Sequence, residues 1–209
     1  MHIIRTRVKE HFPSVLLTLL SIVQALALEL LWSYLHEAEY LYTLSWFALL
    51  AWGQISATLA SIILIWVVYA GNVMRFRWVP AIGDSVVPFA IGLLEFMMIE
   101  TLNPELLGHW LVYFGLVYAA MVWTSHIIMR RARDDGDNSE YFDKMSPAQN
   151  RDFYPEIMIV SSIIALGIYI GMSHNTGWLA IAIVYLANAF LLWRFYGTAI
   201  FWNLSISES

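Results

Sequence analysis

Cysteine is absent from the 209 residues, which excludes disulfides, thiolate catalysis, iron–sulfur ligation and cysteine-type zinc sites. Charge is scarce too: 13% of residues are charged, against about a quarter in a soluble domain. Lysine occurs only as Lys9 and Lys144, both outside the long apolar runs, so no Schiff base within the helices is available. No G-x-S-x-G, H-E-x-x-H or P-loop pattern occurs, and an enzyme is left without a supporting motif. What is plentiful is apolar. At 60% hydrophobic and 15% aromatic, the composition is that of a polytopic membrane protein. The net charge of −5 reflects acids gathered in one polar loop and at run ends.

A bilayer core of about 30 Å takes roughly 20 helical residues. Runs of that kind lie near 12–34, 44–70, 84–102, 108–129, 156–173 and 177–196. The expected fold is all-α, a single domain 1–209 of six transmembrane helices arranged as three antiparallel hairpins. The hairpins follow from the short connections Leu35–Thr43, Asn103–Leu107 and Met172–Thr176, which can only join antiparallel neighbours. Ala25-Leu26-Ala27 resembles a signal-peptidase site, but the first run is read as a retained span.

All eleven Lys and Arg fall on one side of this layout. Arg5, Arg7 and Lys9 precede span one; Arg75 and Arg77 follow span two; Arg130, Arg131, Arg133, Lys144 and Arg151 separate spans four and five; Arg194 ends span six. The positive-inside rule then predicts both termini in the cytoplasm, and the membrane expected is the bacterial inner (plasma) membrane. Trp32, Tyr34, Tyr40, Tyr42, Trp46, Trp110 and Trp178 are expected in an outer aromatic belt, with Trp66, Tyr69, Trp78, Trp193 and Trp202 in an inner one. Residues at about 130–155 form a polar cytoplasmic loop, with a short surface helix expected near Ser146-Pro147. Its Asp134-Asp135-Gly136-Asp137 run lacks EF-hand spacing and is read as a solvated charge run. Phe195–Leu204 either continues span six or lies among headgroups.

Polar residues inside the runs carry the chemistry, because a charged side chain at the bilayer centre costs at least ~2.5–3.5 kcal/mol. Gln24 and Glu29 lie in span one, Gln54 in span two, Glu95 in span three and Asn188 in span six. On span three, Asp84, Pro88, Gly92 and Glu95 recur at helical spacing and share a face running from the cytoplasmic end to the midplane. Ser14, Thr18, Ser21 and Gln24 make a comparable stripe on span one, as do Gln54, Thr58 and Ser61 on span two; the stripes are expected to face one another. Glu95 is the expected central ion site, Asp84 the inner mouth, and Glu29, Gln24, Gln54 and Asn188 the supporting groups. The plainer alternative makes the amides interhelical glue. Gly53-x-x-x-Ala57 and Gly167-x-x-x-Gly171 are read as close-packing motifs.

His36, His109 and His174 fall at outer span ends beside Glu37, Glu39 and Glu105, a set able to bind a transition metal if the fold gathers it. His126 in span four has no second histidine at matching depth within a span, so no haem and no other cofactor is expected. Residues Ala81–Leu94 (AIGDSVVPFAIGLL) resemble the first-helix signature of the TMEM-type potassium channels, an Ala-Phe-Ser-Asp-Gly-Val-Phe-Ala-Ile run. Here its Phe-Ser-Asp-Gly core is broken and it opens span three, not span one. The resemblance implies a cation-conducting role for Asp84 and goes no further.

The function expected is a membrane transport protein, a channel or carrier for a cation, proton or small polar solute. A non-catalytic scaffold or accessory subunit of a membrane complex is the alternative, and a membrane-embedded metal enzyme at the outer histidines a further one. The expected partners are the bilayer, the transported species and further copies in a homo-oligomer, with no nucleic acid.

Overall fold

The computed structural model describes residues 2–143, 147, 149–174 and 177–207, and every regular element among them is helical. α1 spans His2–Glu37, α2 Trp46–Arg75, α3 Ile82–Glu100, α4 Leu107–Arg133, α5 Ser139–Phe142, α6 Tyr154–Ser173 and α7 Trp178–Ser207. Single 3₁₀ turns at Glu39–Tyr42, Pro104–Leu106, Gly136–Asn138 and Asn150–Phe153 sit in the connections. All but α5 are long and apolar enough to cross a bilayer, giving six candidate spans. Helices are the outcome because hydrocarbon offers no partner to the backbone, which must satisfy itself within each segment. The chain is a multi-pass membrane protein.

Helix ends differ from the apolar runs in instructive ways. α1 starts ten residues before the run at residue 12 and continues through Pro13, so Arg5, Arg7 and Lys9 ride on the helix itself. α7 continues through Phe195–Leu204, so that stretch prolongs the last helix. Local chemistry sets other ends. Ser45 accepts the Ala48 N–H to cap α2. His174 takes the left-handed conformation at φ 48° to close α6. The surface helix expected near Ser146 lies outside the described residues; the described helical turns of that loop are at 136–142 and 150–153.

α1, α2, α4 and α3 pack in a closed ring, α1 on α2, α2 on α4, α4 on α3 and α3 on α1. α6 then lies along α4, and α7 along α2. The third expected hairpin thus differs from the other two: its helices take separate principal partners and are linked to each other through Arg194 and Glu156. Burial covers only 11% of the most apolar window of α6 and 22% of that of α7, so most of their apolar surface points away from the bundle.

Glycine sets the α4–α6 distance. A Cβ on Gly108 would overlap the Gly171 backbone and lie 2.7 Å from the Gly167 carbonyl oxygen, so both members of the Gly167-x-x-x-Gly171 motif serve close backbone contact. Gly108→Ala is expected to force the helices apart and cost about 1–3 kcal/mol, read as a lower unfolding midpoint in detergent. Gly136→Ala, with open space around its Cβ position, is expected to be silent.

Side-chain contacts define two ends. At the basic end, Lys9 reaches Asp135 at 2.6 Å and Asp137 at 3.0 Å, Arg131 pairs with Asp84, and Arg194 pairs with Glu156 at 2.9 Å. Asn138 clamps the α2–α3 connection there, accepting the Arg77 N–H and donating to the carbonyls of Arg77 and Ala132. At the opposite end, Tyr40 bonds Tyr34 and the Leu102 carbonyl, and Trp46 packs edge-on against Trp178. The expected aromatic belts need correcting at three positions: Trp110, Tyr69 and Trp78 are buried within the bundle.

The acidic loop is likewise more than a solvated run. Asp135 and Asp137 hold Lys9, and Tyr141 and Phe142 pack on Phe76, so residues 135–142 form a lid over the basic end. Burial disfavours the charged form of Asp135, but the Lys9 hydrogen bond, the Asp137 N–H and the charges of Lys9 and Arg5 outweigh it and hold the carboxyl below its usual range. A depressed carboxylate pKa means stability present above the ordinary value of about 4 and lost as pH falls through the lowered one. Asp135→Asn is therefore expected to be less stable than wild type at neutral pH, the difference shrinking as pH falls through the lowered carboxyl value. Unfolding midpoints across a pH series check this.

Candidate functional site

Span three builds the site. Asp84, Pro88, Gly92 and Glu95 are all buried on one face of α3, as their spacing predicts. Pro88 has no N–H, leaving the Asp84 carbonyl without its helical donor. Gly92 lets α1 come close: a Cβ there would overlap the Val23 side chain. That contact brings the next residue of α1, Gln24, against Glu95. The Gln24 Nε2 donates to both carboxyl oxygens of Glu95, at 3.1 and 3.0 Å.

Glu95 is 0% exposed and Gln24 4%, so the pair is sealed from both solvent and lipid. Among the described residues no cationic side chain forms an ion pair with Glu95. The Gln24 Oε1 is itself without a hydrogen-bond partner. An unpartnered buried amide oxygen costs roughly 1–3 kcal/mol, which makes this pair an expensive place in the bundle.

Gln54 is a second such place. It is fully buried on α2, and neither its Nε2 nor its Oε1 has a partner. One turn along the same face, Thr58 accepts the Trp110 indole N–H at 3.0 Å, tying α2 to α4. Trp110 stacks on Phe114 with centroids 5.3 Å apart, and both are fully buried. The interior of the ring is thus lined by amides and a carboxyl and filled by aromatic rings.

Other expected site residues sit elsewhere. Asp84 is buried at the basic end, where it accepts from Arg131, from the Trp78 indole N–H at 3.3 Å and from the Ala81 N–H at 2.9 Å. Its place in the first turn of α3 suits the helix dipole. Asn188 is a fastener between α7 and α2: it donates to the Gly53 carbonyl at 2.9 Å and accepts from Ser56 at 2.8 Å. Glu29 is exposed on the outer surface of α1, away from Glu95. His36, His109 and His174 are exposed, and among the described residues no group of three His, Asp or Glu side chains comes together to hold an ion.

His126 lines a groove of about 450 Å³ between α4 and α6, its ring against Phe153 at 4.4 Å. Behind it lies a network that sequence reading missed: Glu156 accepts from the Tyr118 hydroxyl at 2.5 Å and from Arg194, joining α4, α6 and α7. The signal was the matching depth of Glu156 and Arg194 at one end of successive spans.

Comparison with protein-family models, curated proteins and solved structures finds no match to this chain.

Proposed function

We propose that the chain is a membrane transport protein in which Glu95 reversibly binds a proton, or a small cation in its place, with Gln24 as its positioning partner. The observation that carries this reading is the sealed Gln24–Glu95 pair with its one unpartnered amide oxygen. A glutamine amide can serve either protonation state. Its N–H groups donate to the carboxylate; turned over, its oxygen accepts from the carboxylic acid O–H. No described cationic side chain pairs with Glu95, so the carboxyl is left to the Gln24 amide until the α1–α3 contact opens and a proton or cation can exchange. Gln54, with both polar ends free of partners, supplies a second polar station for a water or a small solute.

In this reading the basic end faces the cytoplasm, with both termini inside, on the strength of the eleven cationic residues. The membrane is a bacterial inner membrane, and the outward apolar faces of α6 and α7 suit a homo-oligomer. Asp84 locks the basic end, in place of the mouth expected for it.

Flux assays on the purified protein in liposomes, across several cations and a pH gradient, test the proposal. Proton or cation flux above that of protein-free liposomes is expected; no flux under any gradient would overturn it. The filled interior favours a second reading, a non-catalytic accessory subunit of a membrane complex. It predicts other chains co-purifying in fixed ratio under mild detergent, with no flux by this chain alone.

A further inference from the structure

The basic end carries a second site, independent of Glu95. Between the start of α1 and the end of α2 lies a cleft of about 670 Å³. Arg5, Lys9, Arg75 and Arg77 contribute cationic groups to it, against Glu10 and Asp137. Val73, Met74, Phe76 and Pro13 form apolar wall on the same cleft. Cations beside an apolar wall, at the level where spanning helices leave the bilayer, match a phospholipid at its headgroup: phosphate against the arginines, first methylenes against the wall.

The cations differ in availability. Lys9 is committed to Asp135 and Asp137. Arg75 donates to the Gly71 carbonyl and lies over the Phe201 ring, its centroid 4.3 Å from the guanidinium carbon. Arg5 and Arg77 are exposed and form no ion pair with any described carboxylate. The Arg77 backbone is fixed on both sides by Asn138, so its guanidinium is presented from a rigid base. We infer that this cleft binds the phosphate headgroup of an anionic phospholipid in the adjacent leaflet, with Arg5 and Arg77 as its principal ligands.

Lipid enrichment around the full chain tests this, using nanodiscs of mixed phosphatidylglycerol and phosphatidylcholine followed by native mass spectrometry of retained lipid. Wild type is expected to retain phosphatidylglycerol in preference. Arg5→Ala with Arg77→Ala is expected to cut that preference about twenty-fivefold, roughly fivefold for each basic group. Met74→Trp, which fills the cleft without changing charge, is expected to cut it too; Arg130→Ala, outside the cleft, is not. Equal thermal unfolding of the variants in pure phosphatidylcholine confirms intact folding. Unchanged preference in both the double variant and Met74→Trp would overturn the proposal. Displacement by inorganic phosphate with no lipid preference would overturn it as well, identifying free phosphate as the ligand.

Discussion

Glu95→Gln is expected to abolish flux in liposomes, down to the level of protein-free vesicles, while leaving the protein folded. The substitution is nearly isosteric, and two facing amides can exchange a donor and an acceptor where the Gln24 amide nitrogen now donates to both Glu95 oxygens. Stability is therefore expected to stay within about 1 kcal/mol of wild type. What is lost is the only titratable group in the pair. Glu95→Ala, by contrast, is expected to cost stability as well, since it opens a void and strips the Gln24 amide of its remaining partner, roughly 2–5 kcal/mol together. Full flux in a well-folded Glu95→Gln would remove the carboxyl from any transport role.

Asp84→Ala is expected to be the most destabilising single change at the basic end. It leaves the Arg131 guanidinium, the Trp78 indole N–H and the Ala81 N–H without their acceptor at once. Deleting one partner of a buried ion pair costs about 3–5 kcal/mol. With Arg131 about one-third exposed, the lower figure of about 3 kcal/mol applies. Arg131→Ala is expected to cost less, about 1.5 kcal/mol, because Asp84 keeps its other two donors. Denaturant titration of the three proteins in one detergent gives the ranking. An Asp84→Ala protein as stable as wild type but altered in flux would instead restore Asp84 as a conduction residue.

The membrane class and the six helical spans were legible because hydrocarbon imposes length and composition on any crossing segment. The α3 face from Asp84 to Glu95 was legible too, since helical spacing alone puts those residues in line. Their partners were not. Nothing in the spacing distinguishes the Arg131 that reaches Asp84 from Arg130 or Arg133 beside it, because the choice depends on how α4 is rotated against α3. Position inside an apolar run grouped Gln54, Asn188 and Glu29 with Glu95, but position in a run carries no azimuth: Asn188 points into the α2–α7 seam, Gln54 is buried on α2, and Glu29 is exposed. Trp110 was placed at the surface by its position near a helix start, yet its indole N–H had a buried acceptor in Thr58.

The central claim is that Glu95 is an exchangeable carboxyl, and infrared difference spectroscopy of the reconstituted protein through a pH change observes that directly. The account predicts a carboxylic-acid C=O band that titrates, shifts in Gln24→Ala, disappears in Glu95→Gln, and follows the same pH dependence as flux. Flux that persists with no titrating band lost in Glu95→Gln would contradict it.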